Sequence, residues 1–295
     1  MTIVVTGAKG QVGRELMRLG KHSGLRMLGV DIEDVDISDR ASVDHCFDGM
    51  GMDFLVNAAA FTAVDAAETD MQAAFAVNRE GPANLAMLCA KKSIPLIHIS
   101  TDYVYDGTKT NAYIETDPVS PVGVYARSKA QGDAEVARRS EAHIILRTAW
   151  LYSVHGHNFV KTMLNLFRKE RTVSVVDDQY GCPTHAADLA DAILRIIAQT
   201  QKKPAAAWGI YHYAGQGTTS WYGFAKKVLA LAASYDHFSL QQLTPIPTSE
   251  YPTPAQRPHN SVLDCNKIQR AFGIQTVPWE KSLEEMLERL YQGVP

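Results

Sequence analysis

Short apolar runs alternate with longer segments of helical spacing through the first half of the chain. Each run has the length of a strand that is buried on both faces, and apolar residues recur at helical intervals in between. The alternation predicts an α/β fold, with a doubly wound parallel sheet, helices on both faces and right-handed crossovers. The predicted strands are "TIVVTG", "LRMLGVD", "DFLVNAAA", "IPLIHIS" and "AHIILRT", and the predicted helices are "QVGRELMRLGKH", "DMQAAFAVNREGPANLAMLCAKK" and, entered through Pro121, "PVGVYARSKAQGDAEVARR".

The pattern loosens after Trp150. Here "TVSVV" and "GIYHYAG" predict strands, and the proline-rich "LTPIPTSEYPTPAQRP" predicts an ordered loop. We therefore expect one unit over residues 1–150 and a smaller C-terminal lobe that comprises mainly residues 151–295, with segments interleaved into the first unit. The helices predicted in this half are "NFVKTMLNLFRK", "AADLADAILRIIAQ", "SWYGFAKKVLALA" and "SLEEMLERLY".

Composition and charge exclude several classes of protein. The 295 residues include 46% hydrophobic ones, enough for a full core. A formal net charge of -3 and the lack of a Lys/Arg-rich run argue against a nucleic-acid partner, and no apolar stretch is long enough to span a membrane. The first strand begins too close to Met1 for a signal peptide. The four cysteines form no C-x-x-C pair, so we expect reduced thiols in a cytoplasmic protein.

The segment "TGAKGQVG" places three glycines between the first predicted strand and the first predicted helix. Gly7, Gly10 and Gly13 permit a tight turn, and the helix N-terminus offers free N–H groups to a pyrophosphate. In this position the loop predicts a dinucleotide-binding Rossmann domain in the first unit, with Gln11 and Val12 as further cofactor-binding residues. The smaller lobe would then bind the substrate. A glycine-rich turn without a ligand is the alternative.

Two charged residues near this loop favour different cofactors. Asp31 ends the second strand, where an acid can bind ribose hydroxyls and repel a 2′-phosphate, which favours NADH. Lys9 lies within the loop and could meet a 2′-phosphate, which favours NADPH, or could be solvated. Small residues at the end of the third strand let a cofactor lie against the backbone, or allow tight helix packing. The remaining cofactor-binding candidates are Asp36, Ile37, Ala58, Ala59, Ala60, Tyr125 and Lys129.

A tyrosine and a lysine lie four residues apart in "VYARSK". On a helix, Tyr125 and Lys129 share one face. An ammonium beside a phenol lowers its pKa from about 10. The lysine could also hold a ribose hydroxyl of the cofactor, and Ser100 or Thr101 at the end of the fourth strand could bind the reacting oxygen. The set predicts hydride transfer from a nicotinamide with proton donation by Tyr125. An exposed pair at helical spacing is the alternative.

The order TGxxGxxG, NAAA, STD and YxxxK resembles the extended short-chain dehydrogenase/reductase superfamily. The segments "NAAAFTAVDAAE", "STDYVYDG", "RTAWLY", "VVDDQYGCPT" and "YPTPAQRP" are similar to the dTDP-4-dehydrorhamnose reductase family, and the match runs over nearly the whole chain. The resemblance implies an oxidoreductase that uses NADPH or NADH. It would reduce the 4-keto group of dTDP-4-dehydro-L-rhamnose to give dTDP-L-rhamnose, the last step of dTDP-rhamnose biosynthesis.

The resemblance also implies roles for individual residues. Thr101, Tyr125 and Lys129 would form the catalytic triad, and Trp150 would shape the sugar pocket, although a core aromatic is the alternative. Arg257 would meet the nucleotide diphosphate, since a guanidinium suits phosphate. For Asn158, Lys161 and Asn260, the alternative is that they are ordinary polar residues of loops and helices. The full set of substrate-binding candidates is Thr101, Asp102, Trp150, Asn158, Lys161, Arg257 and Asn260.

Some members of this family bind Mg²⁺ through glutamates at a homodimer interface. Glu15 is one candidate ligand. The other matching positions carry Asp188 and either Glu288 or Arg289, so we assign no metal ligand. The requirement for Mg²⁺ and the homodimer are left open. Alone, Glu15 is a first-turn acid that the helix dipole favours.

Two other functions are compatible with the same motifs. Nucleotide-sugar dehydratases of this superfamily carry Thr-Asp-Glu at the active strand end, whereas this chain has Thr101-Asp102-Tyr103, which favours simple reduction over dehydration or epimerisation. The regulatory subunit of methionine adenosyltransferase also resembles this family and would bind NADP and a partner without turnover. The intact Tyr125 and Lys129 argue against that role.

Overall fold

The computed structural model describes residues 1–201 and 208–293. Its strands fall into one large sheet and several two-stranded pairs. In chain order they are β1 (Thr2–Thr6), β2 (Arg26–Val30), β3 (Phe54–Asn57), β4 (Leu96–Thr101), β5 (His143–Thr148), β6 (Leu151–Tyr152), β7 (Thr172–Val176), β8 (Tyr180–Gly181), β9 (Thr184–His185), β10 (Gly209–His212), β11 (Thr219–Ser220) and β12 (Gln242–Ile246).

The helices cover both faces of the large sheet and build the second lobe. Short 3-10 turns at Asp102–Val104 and Thr248–Glu250 and a π-helical turn at Ala76–Glu80 accompany them. In chain order the α-helices are α1 (Gln11–His22), α2 (Arg40–Cys46), α3 (Val64–Ala67), α4 (Met71–Phe75), α5 (Gly81–Lys92), α6 (Val124–Arg139), α7 (Phe159–Lys169), α8 (Ala186–Thr200), α9 (Trp221–Ala232), α10 (Asn266–Phe272) and α11 (Trp279–Gln292).

The large sheet has the order β10-β5-β4-β3-β1-β2. All of its neighbouring strands are parallel. From β1 the chain moves outward to β2 on one side, and it then returns to β3 on the other side. Ligands of open α/β sheets bind outside the carboxyl ends of the strands at such a switch point. The predicted α/β, Rossmann-like doubly wound sheet is confirmed.

Both faces of the sheet are buried, as its continuous apolar runs predict. Ile3 and Val5 of β1 point to the face covered by α1 and α8, where they share a core with Leu16. Val4 points the other way and packs in the core that contains Leu85 of α5. Each buried side chain of this size contributes about 1.5–3 kcal/mol to folding through the hydrophobic effect.

A second core lies beyond β5. Phe167 of α7, Phe224 of α9 and Leu283 of α11 are buried in it together, and β7 pairs with β12 beside them. The chain also returns to the first core, since α8 packs on α1 and β10 extends the large sheet next to β5. Elements from the described part of residues 151–295 therefore contribute to both cores, and the division into two domains stays a prediction.

Three local predictions need correction. The long helix expected before the fourth strand is interrupted by the π-helical turn at residues 76–80. The helix expected from Pro121 begins at Val124, because Gly123 at φ 82° ends the extended segment. The expected proline-rich loop contains β12 and a 3-10 turn. No helix in the described ranges is long and apolar enough to cross a membrane.

Candidate active site

A cavity of about 990 Å³ opens at the carboxyl ends of β1, β3, β4 and β5. It extends from the glycine loop, past the start of α6, to the second lobe. Most of the residues singled out in the sequence line it. They are Gly7, Gly10, Gln11, Val12, Asp31, Asp36, Ile37, Ala58, Ala59, Ala60, Thr101, Asp102, Tyr125, Lys129, Trp150 and Arg257.

The glycine loop is shaped by close backbone contacts. Gly7 has a φ of +69°, and a Cβ there would lie 2.6 Å from the backbone nitrogen of Ala59. Gly10 precedes α1 without a capping side chain, so the first-turn N–H groups of α1 are available to an anion at the cavity. Gly13 does not line the cavity. A Cβ there would lie 2.2 Å from the carbonyl oxygen of Gly7, so this glycine lets α1 pack under the loop.

The end of β2 presents an acid and a cation close together. The Asp31 carboxylate accepts a hydrogen bond of 2.7 Å from the backbone N–H of Lys9. The Lys9 ammonium pairs with Glu33 at 2.8 Å, and this hydrogen bond raises the pKa of the lysine. Ile32 beside them is 64% exposed and lines the cavity. Lys9 thus carries its charge at the cavity mouth, but already has an anionic partner.

Tyr125 and Lys129 lie one turn apart on α6 and both line the cavity. The Lys129 ammonium is 2% exposed and donates to the carbonyl oxygen of Ile99 at 2.8 Å. Burial lowers the pKa of Lys129 to about 8. Desolvation also raises the pKa of Tyr125 to about 12, while a hydrogen bond with Thr101 acts in the opposite direction. The expected lowering of the tyrosine pKa by Lys129 is not seen, because desolvation dominates.

Several contacts fix the position of α6. Glu68 accepts a hydrogen bond of 2.7 Å from the N–H of Val124 and so satisfies one donor of the first helical turn. The Asn78 amide, in the π-helical turn, donates both to the carbonyl of Phe61 and to the hydroxyl of Ser128. A π-helical turn often occurs at a functional site. Here it lies beside α6, which carries Tyr125, and its contacts help to position that helix.

Trp150 forms a wall of the cavity where the second lobe begins. Its backbone has a φ of 46°, a left-handed conformation that costs about 1–3 kcal/mol for a residue other than glycine. The indole stacks on Trp221, with ring centroids 3.5 Å apart and an interplanar angle of 5°. A Cβ at Gly181 would lie 2.4 Å from this ring. The indole is half-buried and lines the cavity, and its contact with the sugar stays a prediction.

Comparison with known proteins agrees with this architecture. The family model described as the RmlD substrate binding domain matches residues 1–292. The dTDP-4-dehydrorhamnose reductase of Sinorhizobium fredii is 41% identical over 290 residues, which cover 97% of each chain. The chain belongs to the dTDP-4-dehydrorhamnose reductase family. The resemblance expected from the sequence motifs is confirmed.

Solved structures of the family have the same fold. A dTDP-4-dehydrorhamnose reductase from Clostridium acetobutylicum is 36% identical and superimposes with a TM-score of 0.92, over 98% of this chain and 99% of that one. A second one, from Bacillus anthracis in complex with NADP, is 32% identical with a TM-score of 0.90 over the same shares of the two chains.

Arg257 reaches the cavity from the proline-rich segment. Its guanidinium donates to both carboxylate oxygens of Asp65, at 2.9 and 3.3 Å. Tyr103 also lies against it. In this member of the dTDP-4-dehydrorhamnose reductase family, the predicted phosphate-binding arginine therefore already has an anionic partner in the free protein.

Three predicted substrate-binding residues do not line the cavity. Asn158 caps α7 and donates to the Gln11 side chain at 3.0 Å. The Lys161 ammonium donates to the carbonyl of Val154, and Asn260 donates to the backbone of the segment around Lys109. These contacts give each of the three a structural role, and their contact with substrate stays a prediction.

The sequence reasoning missed several residues that line the cavity. Thr62 and Val64 follow the alanines after β3, where a continuation of the "NAAA" signal would have indicated them. Trp221 and Phe159 come from helices of the second lobe, and Tyr103 follows the STD motif. Nothing in the spacing of the last three predicts that they converge on one cavity.

The candidate Mg²⁺ ligand Glu15 lies in a setting that does not suit a cation. Its buried carboxylate pairs with Arg18 at 2.7 Å, with Arg289 at 3.0 Å and with His155 at 3.4 Å. Desolvation pulls the pKa of Glu15 upward, but the two guanidinium groups bring it below its ordinary value. Residues 1–201 and 208–293 contain no group of three or more His, Cys, Asp or Glu side chains placed to hold a metal ion.

The other positions considered for the metal already have partners within the protein. Asp188 is bound by the hydroxyl of Ser282, and Glu288 is exposed and bound by Gln292. With two arginines supplying the positive charge, a Mg²⁺ ion at Glu15 does not fit this arrangement. The homodimer stays a prediction.

Proposed function

We propose that this protein reduces the 4-keto group of dTDP-4-dehydro-L-rhamnose to give dTDP-L-rhamnose, with NADPH or NADH as the hydride source. Membership in the family supports this. One structural observation carries it further: Thr101, Tyr125 and Lys129 line the same cavity as the glycine loop. The proposed proton donor and the proposed dinucleotide-binding loop therefore share one cavity, as a carbonyl reduction requires.

The residues present suit a nicotinamide dinucleotide. The uncapped N-terminus of α1 suits its pyrophosphate, and the exposed Ile32 with Asp31 suits its adenosine end. The relative from Bacillus anthracis was solved with NADP, which supports the same ligand here. When bound, the reduced cofactor supplies a hydride to the carbonyl carbon. Lys129, which lines the same cavity, would hold a ribose hydroxyl.

Tyr125 is the proposed proton donor. Because its pKa is about 12, the phenol is protonated at neutral pH and its proton is available to the carbonyl oxygen as that oxygen gains negative charge. The Thr101 hydroxyl adjoins the phenol and would orient the reacting oxygen. The Lys129 ammonium would stabilise the negative charge that the tyrosine acquires.

The second lobe would recognise the sugar nucleotide. Trp150 and Trp221 offer a flat apolar wall, and Arg257 offers a planar cation for the diphosphate. We propose the division into a dinucleotide-binding domain over residues 1–150 and a mainly substrate-binding lobe over residues 151–295, of which 202–207 and 294–295 lie outside the described residues.

A cytoplasmic location is also a prediction, with which the four free cysteines agree.

The rival functions are less well supported. Tyr103 occupies the position where a dehydratase would carry a second acid, and its phenol has a pKa raised above its ordinary value by desolvation. A purely regulatory NADP-binding protein would not need Tyr125, Lys129 and Thr101 in one cavity.

Incubation with dTDP-4-dehydro-L-rhamnose and each cofactor tests the proposal. We expect stoichiometric oxidation of the cofactor and formation of dTDP-L-rhamnose, identified by chromatography and mass. Cofactor binding without consumption would indicate the regulatory role. An isomeric or dehydrated product without net cofactor consumption would indicate an epimerase or a dehydratase.

A further inference from the structure

The chain passes from the large sheet into the second lobe through one strained residue. Trp150 has a φ of 46° and lies between the end of β5 at Thr148 and the start of β6 at Leu151. Thr101, at the end of β4, lies opposite Thr148, so Trp150 follows two residues after this pair. A residue other than glycine keeps such a conformation only where its surroundings enforce it, and such residues cluster at ligand sites.

A single pair of strands supplies two contacts that hold the Trp150 indole. β8 and β11 are antiparallel, with Gly181 opposite Thr219. A Cβ at Gly181 would lie 2.4 Å from Cε2 of the indole, so the β8 backbone abuts one edge of the ring. Trp221 follows β11 directly and covers a face of the ring, with centroids 3.5 Å apart. We call Gly181 and Trp221 together the indole clamp.

Trp221 is itself fixed at the start of α9. The Ser220 hydroxyl oxygen accepts a hydrogen bond of 2.9 Å from the N–H of Gly223, which caps the helix, and the hydroxyl donates to Asp177. The centroid of the Phe159 ring lies 4.6 Å from that of Trp221. Trp221 is therefore held in place by its own helix and can support the ring that stacks on it.

The geometry of the stack indicates that its surroundings enforce it. The Trp150 and Trp221 rings are nearly parallel, at 5°, and lie almost face to face. Aromatic pairs prefer offset or edge-to-face arrangements with centroids about 4.5–7 Å apart. Both the backbone and the ring of Trp150 thus adopt arrangements that need support, and the indole clamp supplies it.

We propose that Trp221 is a positioning residue for the sugar of the substrate and acts through Trp150. The indole clamp would hold the Trp150 ring as a fixed wall, on which the apolar C–H face of a 4-keto-6-deoxyhexosyl ring would rest while its carbonyl faces Tyr125. This role rests on the proposed reductase function. Orientation matters because a displacement of about 1 Å can slow a reaction by about 10²-fold.

A direct contact between Trp221 and the sugar is the rival explanation, because both indoles line the cavity. The two explanations differ in what happens when Trp150 is removed. A residue that acts through Trp150 has no effect in a chain that lacks this indole, whereas a direct contact contributes in either background.

Trp221→Ala removes the stacked ring and should lower kcat with the 4-keto sugar nucleotide by about 10- to 100-fold. The KM of the sugar nucleotide should change less than about threefold, because its diphosphate is proposed to bind at Arg257, and the KM of the cofactor should stay the same. Trp221→Phe keeps an aromatic face and should retain most of the activity. Steady-state kinetics measure these effects.

A double-mutant cycle separates the two explanations. In a Trp150→Ala background, Trp221→Ala should lower kcat further by less than about twofold. An equal loss in both backgrounds would overturn the proposal, because Trp221 would then act without Trp150.

Gly181→Ala gives an independent arm, which decides the matter if the Trp221→Ala chain does not fold. The added methyl group meets the indole at its edge, so it should displace the ring and lower kcat with little change in either KM. Unchanged kcat in Gly181→Ala and in Trp221→Ala would overturn the proposal.

Circular dichroism detects the stack without substrate or cofactor. Two stacked indoles couple their electronic transitions and give a couplet, one positive band beside one negative band, so we expect a couplet in the wild type. It should be lost in Trp150→Ala and Trp221→Ala and should weaken in Gly181→Ala. A wild-type protein without the couplet would contradict the stacked arrangement and overturn the proposal.

Trp279→Phe is the matched control among the four tryptophans of the chain. Trp279 is buried in the second core, where its ring lies 5.5 Å from that of Phe224. The variant should be less stable but should keep the couplet and kcat. If it lowered kcat as much as Trp221→Ala does, a general weakening of the second lobe would explain both losses and the proposal would fail.

The experiment distinguishes this proposal from the function on which it rests. If the wild type does not consume cofactor with the 4-keto sugar nucleotide, the proposed function fails. The couplet still shows in that case whether Gly181 and Trp221 hold the Trp150 indole.

Discussion

A buried tyrosine is a strong proton donor only if its neighbours tolerate the charge it leaves. At the scale of single residues, desolvation keeps Tyr125 protonated, and in the proposed function Lys129 and Thr101, which line the same cavity, would stabilise the resulting phenolate. The free protein thus resembles the state before reduction, with the phenol neutral. In the proposed function the lysine would therefore act when negative charge develops on the phenol, and not by ionising the tyrosine beforehand.

Tyr125→Phe should therefore lower kcat by about 10²-fold or more, because the proton donor is lost while the fold is kept. Cofactor affinity should barely change. Steady-state kinetics and cofactor titration measure both. Tyr113→Phe makes the same chemical change outside the cavity and should keep turnover. Near wild-type kcat in the Tyr125→Phe enzyme would show that another group supplies the proton.

Cofactor choice depends on two opposing charges. Asp31 favours NADH, and Lys9 favours NADPH but is paired with Glu33. We expect the native protein to use both cofactors within about tenfold of each other in kcat/KM. Asp31→Ala should shift preference toward NADPH, and Glu33→Ala should do the same by releasing Lys9. Exclusive use of one cofactor by the native protein would contradict this balance.

To bind the substrate diphosphate as proposed, Arg257 would have to give up its ion pair with Asp65. A charge-assisted hydrogen bond to the diphosphate contributes about 1.5–3 kcal/mol, but the loss of the Arg257–Asp65 ion pair cancels part of this gain. Arg257→Ala should therefore raise KM by about tenfold and leave kcat nearly unchanged. Lysine should restore part of the affinity, because it cannot form the two-pronged contact. Steady-state kinetics with dTDP as a competitive inhibitor measure the effect.

Asp65→Asn is the matched variant for Arg257. It removes the competing charge and should leave KM equal or lower. If neither KM nor dTDP inhibition changes in Arg257→Ala, the arginine is a structural partner of Asp65 and nothing more.

At this scale the sequence predicts the residues whose motifs are local. Tyr125 and Lys129 share a helical turn, and Gly7 and Gly10 share a loop. The partner Asp65 could not be predicted, because it is 192 positions from Arg257. The same holds for the stacking of Trp150 on Trp221, which depends on how the second lobe folds back.

At the scale of elements, period and composition predict interiors better than ends. The spacing of α1 gives its bounds correctly, since Gly10 and the loop fix its start. The start of α6 depends instead on Gly123 and on Glu68, which belongs to a distant segment. The π-helical turn could not be predicted for the same reason. The hydrogen bonds of its Asn78 are made to residues that are distant in the sequence. β12 could not be predicted from the sequence, because Pro245 lies within it and proline normally argues against a strand.

The Glu68 contact leads to a prediction about α6. Glu68→Ala removes the acceptor for the Val124 N–H and should lower the free energy of unfolding by about 1 kcal/mol, as loss of an N-cap does. Glu68→Gln keeps an oxygen acceptor and should lose less. Chemical denaturation measures both variants. Equal destabilisation by Ala and Gln would show that the contact with Val124 does not matter.

At the scale of the whole molecule, a series of buried polar side chains, here called the polar chain, lies across neighbouring strands of the large sheet. On one side, Thr6 donates to Asn57, whose amide contacts the His98 ring. On the other side, Arg147 bridges Asp133 of α6 and Tyr105. Such a chain links the catalytic helix to the sheet, and its groups are costly to leave unpaired. The two sides approach each other where His98 Nε2 lies 3.8 Å from Asp133 Oδ1, and neither of these atoms has a hydrogen-bond partner in the described residues. The sequence shows only scattered polar residues in apolar strands, so these contacts can be recognised only once the sheet order is known.

The last side chain in this series of polar contacts is His212 on β10. Its protonation makes the free energy of unfolding depend on pH. The His212 ring meets the Tyr105 hydroxyl at 2.8 Å and the carbonyl of Asp264 at 3.2 Å, contacts that a neutral imidazole satisfies with one acceptor and one donor. Burial lowers the pKa of His212 from 6.5 to about 3. Between these values the unfolded chain binds a proton that the folded protein does not, so stability falls as pH falls.

His212→Gln should therefore reduce the pH dependence of stability. One such group contributes a slope of about 1.4 kcal/mol per pH unit between about pH 6 and pH 4, because the difference in bound protons is one. The variant should be less stable than the wild type at pH 7, and the gap should narrow by that slope as pH falls. Urea unfolding at several pH values measures it. His45→Gln, on the exposed face of α2, is the control and should leave the slope unchanged. Parallel wild-type and His212→Gln curves would mean that His212 takes up its proton in the folded protein, and that the polar chain tolerates a charge at its end.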